Sequence, residues 1–332
     1  MTSNKKITRQ AVSLFHRKIK EAERIAISGH INPDGDCVGA CLGLCAYILD
    51  LDPKKKVDIL LEPISEKFRF LAYADHIMQE KTEEEPYDLY FSLDCSDKER
   101  LGAFQELFEE ARFTICVDHH ISNQGFGDLR FIDADASSTC EILYDILEEK
   151  KISFDTAQCL YLGIVHDTGV FKHSNTTRKV MEIAGALIDK GVRPDFIIDE
   201  TFYKKTYIQN QILGHALMES ILLLDVRILF SAIKKKDMDF YGIESGDLDG
   251  VIDQLRVTEG VECALFLYEK TEGQFKVSLR SNGKVDVRKI AEQFGGGGHV
   301  KAAGCTVEGN VRDIVNSISP LIDQQLEQGK DV

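Results

Sequence analysis

The feature that most constrains this chain is a run of three ionisable residues, Asp118, His119 and His120, directly after the apolar stretch 113–117. That stretch has the composition of a buried strand. Charged groups at the end of a buried strand are costly unless they pair with other charges or bind a cation. A polar turn with two solvated histidines is the alternative, and we favour a ligand at the strand end.

Four further clusters of polar residues or glycines occur along the chain. Their members are His30, Asp34 and Asp36, then Asp94, then Asp167, and finally His299 behind Gly295, Gly296, Gly297 and Gly298. Each cluster alone has an ordinary structural explanation. Together, this number of imidazole and carboxylate groups indicates a site with two metal ions, which suits the chemistry of phosphate esters.

Short apolar runs alternate with amphipathic stretches in the first half of the chain. The strand-like runs are 24–28, 57–61, 89–93 and 113–117, and the helix-like stretches include 38–49 and 137–150. This alternation predicts an α/β domain whose mainly parallel sheet is flanked by helices. Ligands gather at the carboxyl ends of parallel strands, so we expect His30, Asp94 and Asp118 at one edge of the sheet.

The pattern changes in the second half. A helix-like stretch at 180–190 ends at Gly191 and Pro194. The strand-like runs beyond it are 221–233, 261–268 and 275–279. We therefore predict a metal-binding catalytic domain at 1–190, a linker at 191–206, and a smaller α/β domain at 207–332 that binds the substrate.

Composition limits the class of protein. A length of 332 residues suits about two domains. No apolar run approaches the ~20 residues of a membrane helix, and the first residues lack a secretory signal. We therefore expect a cytoplasmic protein without membrane partners. Nine cysteines without a C-x-x-C pair predict buried reduced thiols. A formal charge of -15 argues against binding long duplex nucleic acid, so a phosphate-bearing substrate should be short.

The first motif places His30, Asp34 and Asp36 in a stretch that contains Pro33 and Gly35. This composition predicts a turn, and a turn can aim alternate side chains at one point. Imidazole and carboxylate ligands suit Mn²⁺, Zn²⁺ or Fe²⁺, and a mostly oxygen set favours Mn²⁺ or Mg²⁺. A surface turn with a solvated histidine remains the alternative.

Two single carboxylates have competing explanations. Ser96 or Asp97 could cap a following helix, but capping leaves Asp94 unexplained at the end of its strand. Asp167 ends a helix-like stretch, and its ordinary role would be a turn with Thr168 and Gly169. Taken alone, the residues around Asp167 favour the turn.

The glycines 295–298 predict a backbone that approaches a ligand closely, because amide groups in such loops can hold phosphate oxygens. A flexible linker is the common alternative for a run of glycines. The flanking His299 and the small residues 302–304 favour binding. Arg280 could hold a phosphate with its planar guanidinium group, although an exposed arginine at a strand end explains the sequence nearly as well.

In combination, these motifs resemble the DHH phosphoesterase family, and the resemblance covers nearly the whole chain. The glycine-rich element with His299 resembles the branch with a DHH-associated second domain, and the overall size resembles its nanoRNase group. The resemblance implies two metal ions bridged by Asp94, with the remaining ligands His30, Asp34, Asp36, His119 and Asp167. It implies a catalytic set of Asp94, Asp118, His119 and His120, in which His120 contacts the scissile phosphate and Asp118 orients a neighbour.

The same resemblance implies that Arg280, Gly296, Gly297, Gly298 and His299 bind the rest of the substrate. The implied activity is hydrolysis of short oligoribonucleotides to mononucleotides and of 3′-phosphoadenosine 5′-phosphate to AMP, with Mn²⁺ preferred and Mg²⁺ or Co²⁺ as alternatives. A homodimer is compatible with the sequence. The alternatives are a dinucleotide phosphodiesterase, an inorganic pyrophosphatase, and a metal-bound nucleotide sensor without turnover.

Overall fold

The computed structural model of the chain describes residues 7–80, 86–225 and 227–328. The chain forms two compact units, Met1–Lys204 and Lys205–Val332. The division lies inside the segment 191–206, and that segment contains the helix Pro194–Ile198, which is part of the first unit. Among the described residues, no helix has the length and apolarity needed to cross a membrane.

The first unit is built on a six-stranded sheet in which every pairing is parallel. The strand order is β3-β2-β1-β4-β5-β6. The strands are β1 Arg24–Ser28, β2 Lys56–Leu60, β3 Ile77–Met78, β4 Leu89–Leu93, β5 Thr114–Asp118 and β6 Leu129–Ile132. The helices are α1 Arg9–Glu21, α2 Gly35–Leu51, α3 Gln105–Glu110, α4 Thr139–Ile146, α5 Phe154–Asp167, α6 Arg178–Asp189 and α7 Pro194–Ile198.

The centre of this unit is buried and closely packed. Every residue of β4 and β5 is buried, as expected for parallel strands covered on both faces. Helix α2 packs closely on α5, because a Cβ atom at Gly39 would lie 2.5 Å from the Cys159 carbonyl oxygen. Glycine inside a helix lowers its intrinsic stability, and here it permits this close approach.

The second unit has a six-stranded mixed sheet of order β11-β12-β10-β9-β8-β7, in which β8 and β9 are parallel. Its strands are β7 Ile221–Leu223, β8 Ile228–Ile233, β9 Cys263–Thr271, β10 Gln274–Ser281, β11 Gly297–His299 and β12 Ala302–Glu308. Its helices are α8 Tyr207–Met218, α9 Lys235–Tyr241, α10 Val251–Arg256, α11 Val287–Gln293 and α12 Val311–Gln328. Two clusters of apolar side chains cover the sheet, one with α8, α9 and α10 and the other with α11 and α12.

The predicted α/β class with a mainly parallel first sheet is confirmed, and so are the nine buried free cysteines. Two local expectations were wrong. The first motif is not a free-standing turn, because Asp34 is the N-cap of α2 and Asp36 lies in its first turn. The apolar run 221–233 is two antiparallel strands, β7 and β8, because the chain leaves β7 in a turn at Leu224 and Asp225.

Candidate metal centre

Three neighbouring parallel strands bring the predicted residues together. β1, β4 and β5 are adjacent, so their carboxyl ends share one edge of the sheet. Asp94 follows β4 directly with φ 57°, a left-handed conformation that is uncommon for a residue other than glycine. Its amide donates to the Val117 carbonyl oxygen at 3.0 Å, which fixes the residue at the end of the sheet.

His30 has one ring nitrogen directed at the carboxylates. Its Nδ1 lies 2.8 Å from the Ile31 carbonyl oxygen and donates to it, since a carbonyl can only accept. Nε2 then faces Asp34 Oδ1 at 3.8 Å and Asp94 Oδ2 at 3.4 Å. Burial alone would lower the pKa of His30, but the two carboxylates raise it to about 11. The ring therefore lies in a strongly negative environment.

The other oxygen of Asp94 faces a different group of ligands. Oδ1 lies 3.5 Å from His119 Nε2 and 3.6 Å from His120 Nδ1. His119 Nε2 also lies 3.0 Å from Asp167 Oδ2 and 4.0 Å from Asp36 Oδ2. Burial lowers the pKa of His119, yet Asp167, Asp36 and Asp94 raise it to about 10. Asp94 thus connects a His30 side and a His119 side of one cluster.

The start of α2 orients two more carboxylates. Asp34 Oδ1 accepts from the amides of Asp36 at 3.0 Å and Cys37 at 3.1 Å, as an N-cap does. Burial is the main cause that raises the pKa of Asp36 well above its ordinary value, followed by the charges of Asp94 and Asp167. Three carboxylates this close together repel one another, and a bound cation would relieve that repulsion.

The donor atoms fit such a cation. Within the described residues, sets of potential ligand atoms lie within 4.8 Å of one another. These sets are Asp36, His119 and Asp167, then Asp94, His119 and His120, and also His30, Cys37 and Asp94. Five of the six residues predicted as ligands belong to these sets, and the sixth, Asp34, lies 3.8 Å from His30 Nε2. Mixed imidazole and carboxylate groups are suitable for divalent metal ions.

Asp118 is completely buried and lies beside the cluster, outside these sets of ligand atoms. Its Oδ1 accepts from His120 Nδ1 at 2.7 Å, and its Oδ2 accepts from Asn123 Nδ2 at 2.7 Å. Because Nδ1–H is hydrogen-bonded to the carboxylate, the Nε2 atom of His120 is available for another contact. The hydrogen bond to Asp118 is the main cause that raises the pKa of His120.

Asp167 is the last residue of α5 and precedes a strained turn. Gly169, Val170 and Phe171 have φ angles of 55°, 59° and 59°. This conformation is rare for a β-branched residue such as valine, and strain of this kind clusters at functional sites. Thr168 holds the turn, because its hydroxyl donates to the Ile164 carbonyl at 2.6 Å and accepts from the Phe171 amide at 3.1 Å.

In the second unit, strand register aligns two predicted substrate residues. Arg280 and His299 both pair with Ala302, so their side chains share one face of the sheet about 10 Å apart, two strand spacings. His299 is exposed. Arg280 Nε lies 3.7 Å from Asp253 Oδ1, and its Nη1 donates to the Leu279 carbonyl oxygen at 3.2 Å.

The four glycines divide into packed and open positions. A Cβ atom at Gly296 would lie 2.2 Å from the Gly304 carbonyl oxygen, and one at Gly298 would lie 2.5 Å from the Ala302 carbonyl oxygen. Gly298 also has φ 143°. A Cβ atom at Gly297 would meet no atom within 4 Å. Close packing on β12 therefore explains Gly296 and Gly298, whereas Gly295 and Gly297 border open space.

Sequence reasoning missed three residues around the cluster. Thr139 and Cys140 donate to Asp36, and Asn123 donates to Asp118. The available signal was Ser138 followed three residues later by Glu141, a pattern typical of a helix start. The structure shows that start, with Ser138 Oγ accepting from the Glu141 amide at 3.0 Å. The pattern gave no indication that the new helix would point at Asp36.

A parallel α/β unit with carboxylates and histidines at its strand ends, followed by a mixed-sheet unit, defines the class of DHH phosphoesterases. Residues 24–164 match the family model described as "DHH family, N-terminal domain", and residues 225–326 match the "DHHA1 domain". The chain belongs to the DHH family.

Two relatives share the name "Bifunctional oligoribonuclease and PAP phosphatase NrnA". The protein from Thermus thermophilus is 31% identical over 289 residues, 86% of this chain and 84% of the relative. The protein from Bacillus subtilis is 27% identical over 296 residues, 88% of this chain and 91% of the relative.

Solved structures support the fold. An exopolyphosphatase-related protein from Bacteroides fragilis superposes with a TM-score of 0.84 at 24% identity, covering 99% of each chain. RecJ from Thermus thermophilus in complex with Mn²⁺ gives a TM-score of 0.53 at 12% identity, over 96% of this chain and 54% of RecJ.

Proposed function

We propose that this protein is a metal-dependent phosphoesterase that hydrolyses short oligoribonucleotides to mononucleotides and 3′-phosphoadenosine 5′-phosphate to AMP. The observation that carries the proposal is Asp94, whose two carboxylate oxygens face histidines on opposite sides of the cluster at 3.4 and 3.5 Å. The names of the relatives from Thermus thermophilus and Bacillus subtilis support the choice of substrates.

In this proposal, one divalent ion would be held by His30, Asp34 and Asp94. The second would be held by Asp36, Asp94, His119 and Asp167, with Asp94 shared. The set is richer in carboxylate oxygens than in nitrogens, which favours Mn²⁺, with Mg²⁺ or Co²⁺ as alternatives. When bound, a pair of such ions supplies an activated water and stabilises charge on the phosphate.

The chain's own residues would orient the scissile phosphate. His120 Nδ1–H donates a hydrogen bond to Asp118. This hydrogen bond orients the ring so that its Nε2 edge would face the substrate. The hydrogen bond to Asp118 raises the pKa of this imidazole, and a protonated ring can donate from Nε2–H to a phosphate oxygen. Asn123 donates to the second oxygen of Asp118 and holds the carboxylate in this orientation. We assign His120 to phosphate binding, and Asp118 and Asn123 to positioning.

The second unit would bind the rest of the nucleotide. Arg280 and His299 share a sheet face, and a guanidinium and an imidazole about 10 Å apart can contact different parts of one short substrate. We propose residues 1–190 as the catalytic part and 207–332 as the substrate-binding part. The glycines contribute through Gly297, which borders open space, and through the shape that Gly296 and Gly298 give to β11.

Product analysis tests this function. The purified protein is incubated in Mn²⁺ with one substrate at a time, and the products are identified by mass spectrometry. The substrates are a ladder of short RNAs, a cyclic dinucleotide, 3′-phosphoadenosine 5′-phosphate and pyrophosphate. We expect mononucleotides from the short RNAs and AMP from the bisphosphate. Parallel samples with a chelator in place of Mn²⁺ should show no products.

Other outcomes would contradict the proposal in different ways. Cleavage of pyrophosphate alone would indicate a pyrophosphatase, and cleavage restricted to cyclic or linear dinucleotides would indicate a dinucleotide phosphodiesterase. Tight binding of divalent ions without hydrolysis of any substrate would indicate a nucleotide sensor.

A further inference from the structure

The first turn of α4 is directed at the metal cluster. The amide of Thr139 donates to Asp36 Oδ2 at 2.6 Å, and the amide of Cys140 donates to Asp36 Oδ1 at 3.1 Å. These are the first two residues of the helix, whose amides have no partner inside it. The positive end of the helix dipole also favours a carboxylate at this position. Asp36 is thus held at both oxygens by one helix start.

The side chain of Thr139 makes a second connection, to the shared carboxylate. Its hydroxyl donates to Asp94 Oδ1 at 3.0 Å, because an ionised carboxylate can only accept. This oxygen faces His119 and His120, and the other oxygen of Asp94 faces His30. The hydroxyl therefore fixes the rotation of the Asp94 carboxylate and, with it, which oxygen faces which side of the cluster.

We propose that Thr139 is a positioning residue for the metal centre, holding Asp36 through its amide and Asp94 through its hydroxyl. Thr139 is completely buried and is hydrogen-bonded to both of these carboxylates. It lies 103 residues from Asp36 and 45 from Asp94 along the chain. The proposal rests on the proposed function, since the geometry that Thr139 maintains is that of a two-metal site.

A set of matched variants isolates the hydroxyl. Thr139→Val keeps the shape and removes the hydrogen bond to Asp94, and Thr139→Ser keeps the hydrogen bond and removes a methyl group. Thr156→Val is the control, because Thr156 is equally buried and also lies in the first turn of a helix. Asp167 ends that helix eleven residues later, about 16 Å along its axis, so the control is remote from the metal ligands.

Binding of Mn²⁺ is measured by calorimetry, and kcat and KM are measured with 3′-phosphoadenosine 5′-phosphate. We expect Thr139→Val to weaken Mn²⁺ binding or to lower kcat by about 10- to 100-fold with little change in KM, the usual effect of removing a group that orients a metal ligand. Thr139→Ser should recover most of both values. Thr156→Val should stay within about threefold of the unmodified protein, as expected for a change remote from the site.

Equal Mn²⁺ affinity and equal kcat in Thr139→Val and Thr156→Val would overturn the proposal, and so would a Thr139→Ser variant as impaired as Thr139→Val. If Thr139→Val does not fold, as judged by circular dichroism, Thr139→Ala is measured in its place. A protein that binds Mn²⁺ and hydrolyses neither RNA nor the bisphosphate would contradict the proposed function. The Mn²⁺ affinities of the variants would still decide the role of Thr139.

Discussion

The metal cluster of the first unit and the Arg280–His299 face of the second unit organise their polar groups in different ways. Asp94 is 2% exposed, and each of its oxygens faces a histidine. His299 is exposed, and Arg280 has one ion pair with a partner 3.7 Å away. A buried charge is destabilising unless the fold supplies a partner for it, whereas an exposed group is solvated until a ligand binds.

This difference predicts how each region responds to mutation. Groups held in place before the substrate arrives act on the transition state, so changes in the cluster should lower kcat. Groups that gain their partners only on binding should mainly raise KM. The variants below test this division, beginning with the largest expected effect.

Asp94→Asn should abolish turnover. Asparagine tolerates the left-handed conformation at φ 57°, so the fold should be kept while the shared negative charge is lost. Loss of several kcal/mol of charge stabilisation corresponds to a decrease in kcat of about a thousandfold or more. The measurement is steady-state kinetics with 3′-phosphoadenosine 5′-phosphate in Mn²⁺, together with circular dichroism.

The control for this variant is Asp97→Asn. Asp97 accepts from the Arg100 amide at 3.0 Å and from the Ser96 hydroxyl at 2.8 Å, and it caps the following turn without facing the cluster. Its kcat should stay within about threefold of the unmodified protein. Near-normal activity of Asp94→Asn would eliminate the two-metal assignment and with it the contrast between the two regions.

Asp118→Asn should have the next largest effect. An amide at this position would present a donor either to Asn123 or to His120, and both already donate to the carboxylate at 2.7 Å. His120 would lose its fixed orientation, and we expect kcat to fall about 10- to 100-fold with little change in KM. Asp128→Asn is the control, since Asp128 binds the Thr114 amide at the opposite end of β5. Equal kinetics in the two variants would remove Asp118 from the site.

The parts of the fold that sequence predicted are those determined by local composition. β1 and β4 were predicted with the bounds the structure has, because each is a short apolar run that the sheet buries. The start of α2 was not predicted, because Pro33 and Gly35 favour a turn and an N-cap such as Asp34 is itself only half within its helix. Local composition therefore determined the strands better than the boundaries between elements.

The candidate site was predictable to the extent that its residues follow strands. Asp94 and Asp118 follow or end apolar runs, so the parallel topology brings them together. Asp167 was assigned through the resemblance to a family, since its own neighbours indicated only a turn. The contact between Thr139 and Asp94 joins residues 45 apart, and no local pattern specifies which carboxylate a helix start will meet.

His299→Ala tests whether the Arg280–His299 face binds the substrate. If the imidazole binds the nucleotide, removing it should raise KM for 3′-phosphoadenosine 5′-phosphate about tenfold, the effect of one hydrogen bond to a charged group. The kinetics with bis(p-nitrophenyl) phosphate, a small diester, should not change. Val300→Ala, at the adjacent exposed position, should leave both substrates unaffected. Equal losses on the two substrates would mean that His299 acts on the chemical step, and the division between the regions would fail.

The smallest expected effects are those of alanine substitutions in β11, and they should differ between Gly298 and Gly297. Gly298→Ala places a Cβ atom 2.5 Å from the Ala302 carbonyl oxygen at φ 143°, so the free energy of unfolding of the second unit should fall by about 1–3 kcal/mol in urea titrations. Gly297→Ala meets no atom within 4 Å and should unfold within about 0.5 kcal/mol of the unmodified protein. A KM for 3′-phosphoadenosine 5′-phosphate that rises severalfold in Gly297→Ala, without loss of stability, would show that a ligand approaches this backbone. An unchanged KM would limit the substrate face to Arg280 and His299.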